Sequence, residues 1–120
     1  MTVAEFRNLA MSMPQATESA HMGHPDFRVK GKIFATLFSR IDEDWGMVKL
    51  TPAQQREFVE ADPDVFQPIK GGWGRKGCTQ IRLKAVKKKN HKTLRQVIFT
   101  AWCNTAPKRL VEELGAPDAE

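Results

Sequence analysis

Between residues 27 and 50, three short runs of strand-forming residues are separated by two turn signals. Phe27 and Val29 alternate with Arg28 and Lys30, the period-2 pattern of a half-buried strand with a cationic outer face. Lys30-Gly31 supplies a tight turn. Ile33 to Phe38 is a more apolar strand, Asp42-Glu43-Asp44 makes a second turn, and Trp45 to Leu50 is a third strand. Connections this short join strands antiparallel. The chain is thereby committed to an antiparallel meander, and every other element must pack on or beside it.

Helical signals lie on both sides. Thr2 followed by Glu5 reads as a capping box, and Val3, Phe6, Leu9, Ala10 and Met13 form an apolar stripe, so a first helix is predicted over residues 3–12, ended by Pro14. The stretch from there to Pro25 reads as irregular. Thr51-Pro52-Ala53-Gln54 starts a second helix that stops before Asp62-Pro63. Val65 to Ile69 reads as a brief strand, followed by a glycine-rich loop. Residues 79–85 read as another strand, with Arg82 and Lys84 on its polar face. Lys87 to Lys89 is a solvated turn. Asn90 caps a long helix whose Leu94, Val97, Ile98, Ala101 and Trp102 share one face. Pro107 restarts a short helix ending at Leu114-Gly115. The expected fold is a single α+β domain over residues 1–120: about five antiparallel strands with N- and C-terminal helices on one face.

Charge is distributed unevenly. Residues 65–111 hold twelve Lys or Arg and no Asp or Glu, whereas the whole chain carries a formal net charge of only +5. An anionic partner should meet the protein in this segment. Its first part, Gly71-Gly72-Trp73-Gly74-Arg75-Lys76-Gly77, places one large aromatic and two adjacent cations among four glycines. Glycine permits positive φ and close backbone approach. No apolar run is long enough to span a bilayer, and the first residues lack the order of a signal peptide. The expectation is a cytoplasmic protein with Cys78 and Cys103 reduced.

Motifs for chemistry are sparse. His21, His24 and Asp26 lie close in sequence, but no further ligand cluster accompanies them, so a structural role is expected rather than a metal site. Arg75 and Lys76 beside Cys78 favour a reactive thiolate, yet no histidine partner is visible in sequence. The glycine run lacks the Gly-Lys-Ser/Thr ending of a phosphate-binding loop, and no strand–GxGxxG–helix pattern occurs. No cofactor and no catalytic residue is assigned. Trp45 and Trp102 are expected in the core. Trp73 is the tryptophan whose surroundings admit another role.

Two motifs carry a resemblance. Residues Gly23 to Leu37 (GHPDFRVKGKIFATL) and Gly71 to Thr79 (GGWGRKGCT), with Ala101-Trp102 and Ala106-Pro107-Lys108 further on, resemble the MmcQ/YjbR family in order and spacing over nearly the whole chain. The resemblance implies a compact α+β domain, related in shape to secretion-chaperone-like folds. It also implies the double-wing arrangement of hairpins for which the family is described as DNA-binding. The family often carries an aromatic where this chain has Cys78.

Taken with the charge pattern, the leading expectation is non-enzymatic binding of duplex DNA. Arg28, Lys30, Lys32, Lys70, Arg75, Lys76, Arg82 and Lys84 would contact phosphate, and Trp73 would make a stacking or groove contact. The alternative is a module binding a small anionic ligand or a protein in a cleft around Trp73 and His24. A basic surface without a concavity favours the first, and an apolar concavity the second.

Overall fold

In the computed structural model, which describes residues 1–114, six antiparallel strands form one sheet in the order β1-β2-β3-β4-β6-β5. The strands are β1 (Ala16–His21), β2 (His24–Val29), β3 (Lys32–Arg40), β4 (Glu43–Lys49), β5 (Phe66–Pro68) and β6 (Cys78–Arg82). The helices are α1 (Val3–Met11), α2 (Pro52–Ala61), the single turn α3 (Gly72–Arg75), α4 (His91–Thr105) and α5 (Lys108–Glu113). The meander of residues 27–50 forms as expected. Both capping boxes also form: Thr2 with Glu5, and Thr51 with Gln54.

Strand register sorts the side chains onto two faces. Phe27, Ala35, Leu37, Val48, Ile81 and Phe66 lie on one face, where α1 and α4 supply Phe6, Leu94, Val97, Ile98, Ala101 and Trp102. The buried α4 residues are the five whose spacing marked one face. Gly46 lies beneath the Phe6 ring, and a Cβ there would come within 2.6 Å of it. Trp102 is fully buried and donates its indole N–H to the Pro14 carbonyl. α2 joins the same side through Phe58, whose ring lies 5.4 Å from that of Phe66. Among the described residues, no helix layer covers the other face of the sheet.

The structure corrects several local expectations. Residues 16–21 are a strand rather than irregular chain. As an edge strand with four of its six residues exposed, β1 has no apolar alternation to betray it. The glycine-rich run is not an open loop, because Gly72 to Arg75 make a helical turn. β6 stops at Arg82, and Lys84 belongs to a 3-10 turn, Leu83–Ala85. Asn90 does not cap α4 with its side chain, which instead accepts from the Lys87 backbone N–H. The expected helix end at Gly115 lies outside the described residues.

The β3–β4 turn sits at Ile41-Asp42, one residue earlier than expected. The other two hairpins use Met22-Gly23 and Lys30-Gly31, with φ positive at both central positions, as a two-residue type I′ turn requires. Ile41 and Asp42 adopt φ of 54° and 55° without a glycine, and Ile41 is 90% exposed. A β-branched residue is strained there. Ile41→Asn/Asp42→Gly is therefore expected to raise stability by about 1 kcal/mol and Tm by roughly 4 °C. Thermal unfolding followed by circular dichroism reads this directly, and an unchanged Tm would show that the turn stores no strain.

Candidate functional site

The open sheet face carries a groove of about 460 Å³. Ile33 and Thr36 of β3, Met47 and Lys49 of β4, and Cys78 of β6 line it, together with His21, Met22, Ile69 and Trp73. A second depression shares His21, Thr36, Met47 and Ile69, and continues toward His24, Phe38 and Arg40. The surface is largely apolar. Trp73 is 65% exposed and Met22 91% exposed. α3 presents Trp73, and Lys76 lies 5.2 Å from its ring. Far along the same face Arg40 covers the stacked rings of Phe38 and Trp45.

Beside the groove lies a buried carboxylate. Asp26 is inaccessible to solvent. Its Oδ1 accepts from Arg28 Nε at 2.7 Å, and its Oδ2 accepts from Arg28 Nη2 at 3.0 Å and from His21 Nδ1 at 2.8 Å. The hydrogen bonds from Arg28 hold its pKa below the usual carboxylate value. Burial opposes them, and the bond from His21 adds to them. Because the carboxylate can only accept, His21 carries its proton on Nδ1. That fixes the ring and leaves Nε2 uncommitted. The closeness of His21 and Asp26 in sequence thus reflects a positioning pair. Among the described residues, no group of three or more His, Cys, Asp or Glu side chains gathers as a metal site would.

Cys78 is buried, and burial pushes its thiol pKa up despite the nearby charges of Lys49 and Lys76. The thiol therefore stays protonated and poorly nucleophilic.

The candidate contact residues singled out in the sequence separate into two groups. Arg28, Lys30, Lys32, Lys70, Trp73, Arg75 and Lys76 lie toward one end of the sheet. That end comprises the β2–β3 turn, the start of β3, the end of β4 and the segment entering β6. Arg28, Lys32 and Lys49 line a polar recess there with Asn104 and Thr105. Arg82 and Lys84 lie toward the opposite end, where Glu43 accepts from Arg82. Arg28 and Arg82 share the open face but not neighbouring strands, since β3 and β4 lie between them. Each is paired with a carboxylate. Lys30 occupies the turn at φ 51° rather than a strand face.

Sequence reasoning placed Trp73 and His24 around a possible cleft. It missed Thr36, Met47, Lys49 and Ile69. Period-2 alternation in β4 contained the signal for Met47 and Lys49, since both alternate with the core residue Val48.

The YjbR family model matches residues 11–104. Among solved structures, Deinococcus radiodurans protein DR2400, of domain DUF419, superposes with a TM-score of 0.72 at 19% identity, over 99% of this chain and 91% of that one. A Pseudomonas syringae protein superposes with a TM-score of 0.56 at 13% identity, over 82% of this chain and 96% of its own. These two likenesses speak to the fold. The search of curated proteins finds no significant match. No helix among the described residues is long and apolar enough to cross a membrane. With the family model covering most of the six-stranded sheet and its helices, the chain belongs to the YjbR family.

Proposed function

We propose that this protein is a binding module for a small, largely apolar molecule held in the groove on the open sheet face. One observation carries the reading: a concavity of about 460 Å³ lined by Ile33, Met47, Ile69, Met22 and a mostly exposed Trp73. Apolar area of this kind beside a cavity is costly to leave in water unless something covers it. The reading is one of binding, because burial keeps the thiol in the groove protonated and poorly nucleophilic.

A second reading, binding of duplex DNA, is favoured by a different observation. Lys30, Lys32, Lys70, Arg75 and Lys76 are exposed toward one end of the sheet and form no ion pair within the described residues. Phosphate contacts from such a cluster need no recognition helix.

One set of titrations tests both. The probe 1-anilinonaphthalene-8-sulfonate (ANS), an aromatic anion, is expected to bind with micromolar affinity and a blue-shifted emission. Trp73→Ala is expected to weaken it about tenfold without lowering Tm, since the ring is largely exposed. No fluorescence change up to millimolar probe sinks the groove reading. A labelled 20-base-pair duplex is titrated alongside. Five phosphate contacts predict a roughly 500-fold loss of affinity between 50 and 200 mM salt. They also predict loss of binding in Lys70→Glu/Arg75→Glu, neither of which lines the groove. A duplex that fails to bind at low salt removes the second reading alone.

A further inference from the structure

Thr36 is 4% exposed, and its Oγ1 has no hydrogen-bond partner among the described residues. On its strand neighbours it finds no bond. Across β2 it faces Asp26, whose oxygens accept from Arg28 and His21 and not from Thr36; across β4 it faces Met47, which offers only a thioether. A buried hydroxyl without a partner is rare in folded proteins and destabilises them. Thr36 is among the residues that line the groove. Lys49 also lines it, half-buried and without an ion pair in the described structure, and shares the adjoining polar recess with Lys32.

We infer that the groove takes an aromatic acid bearing a hydroxyl, with the hydroxyl on Thr36 Oγ1, the ring system against Trp73 and Met47, and the carboxylate at Lys49. This rests on the groove reading above and names the ligand class for it. The spacing fits. Met47 pairs with Thr36, and Lys49 is two residues further along β4, about 7 Å at strand rise. The two anchors therefore sit apart along the groove, as the hydroxyl and carboxylate at opposite ends of a fused two-ring acid do. A ligand hydroxyl both donates and accepts, so it satisfies Thr36 whichever way the threonine proton points. The uncommitted Nε2 of His21 is a further polar atom among the residues that line the groove.

The test is displacement of bound ANS by 2-naphthoate, by its 5-, 6- and 7-hydroxy derivatives, and by 2-naphthol. With wild-type protein, the best hydroxy acid is expected to displace at about tenfold lower concentration than 2-naphthoate. Thr36→Val, which keeps the shape and removes the hydroxyl, is expected to abolish that preference, so that the hydroxy acid and 2-naphthoate displace the probe at similar concentrations. It should also raise Tm by roughly 4 °C, because an unsatisfied buried group is gone. A structural threonine would not move the hydroxyl preference. Lys49→Met is expected to weaken all the acids about tenfold and leave 2-naphthol unaffected. If no hydroxy acid outcompetes 2-naphthoate, or if Thr36→Val keeps the preference, the inference is wrong while the groove reading stands. If ANS itself does not bind, the groove reading has failed first.

Discussion

Gly77→Ala is expected to cost about 4 kcal/mol of folding stability and to lower Tm by roughly 15 °C. Two independent penalties coincide at this residue. Its φ is 114°, a conformation that L side chains rarely adopt. A Cβ there would also lie 1.9 Å from the Leu50 carbonyl oxygen and 2.7 Å from its carbonyl carbon. The obstruction is backbone, where β4 passes into α2, so no side chain can swing aside. Gly77 must in turn stay close, because Ile69 donates to the Cys78 carbonyl and Gln55 Nε2 donates to both Gly74 and Cys78 carbonyls. Gly74→Ala belongs to the same class, with its Cβ 1.6 Å from the Ile69 oxygen. Gly72→Ala is the control. It lies in the same glycine run, but its nearest neighbour is the flexible end of Arg75 at 3.7 Å, and it should shift stability by less than about 0.5 kcal/mol. Thermal unfolding of the three variants decides the matter. A uniform response across them would refute the close-approach argument.

That series also shows what a glycine-rich run does and does not reveal. Four glycines around Trp73 announced close backbone approach, and at Gly74 and Gly77 the approach occurs. What it approaches is the protein's own backbone, at Ile69 and Leu50, not an external phosphate. Composition cannot distinguish the two, because both need a missing Cβ. The consequence for the site is indirect: the glycines seat α3 tightly enough to hold Trp73 at the rim of the groove.

Elsewhere legibility followed burial. The α4 stripe and the β2–β4 meander were readable because each has one face in the core, so periodicity reports geometry. β1 was not, since four of its six residues face solvent and nothing in their order distinguishes a strand from a loop. The end of β6 was misplaced for the opposite reason. Leu83 is buried on the expected alternation, but it is buried by a 3-10 turn, which carried Lys84 off the sheet. The groove was the least legible feature. Its floor draws one or two residues from each of β3, β4 and β6, and only the register of Thr36 opposite Met47 and of Lys49 opposite Cys78 brings them together. The charge asymmetry was plain in the sequence. Its partial neutralisation was not, because Arg82 finds Glu43 across thirty-nine positions of chain.

Asp26→Asn is expected to lower stability by about 3 kcal/mol at neutral pH, a fall in Tm of roughly 12 °C. The side chain is inaccessible to solvent and accepts three hydrogen bonds, two from Arg28 and one from His21. An amide keeps the shape but turns one acceptor into a donor, aimed at N–H groups that are themselves donors. The pH dependence identifies the cause. Hydrogen bonding from Arg28, opposed by burial and aided by His21, depresses the folded-state pKa of Asp26. A carboxylate whose pKa falls on folding contributes stability at pH above its unfolded value of about 3.9, and loses it as pH drops through the lower folded value. The wild type should therefore exceed Asp26→Asn at pH 5 and above, and the margin should shrink as pH falls below about 4. Glu5 and Glu43 also have lowered pKa values, through the Thr2 backbone and Arg82 respectively. They titrate in both proteins and cancel in the difference. Tm measured for the pair at pH 7, 5, 4 and 3 gives the answer. Parallel curves down to pH 3 would mean that the substitution acts through packing, and that the ionised Asp26 is not what holds β1 and β2 together beside the groove.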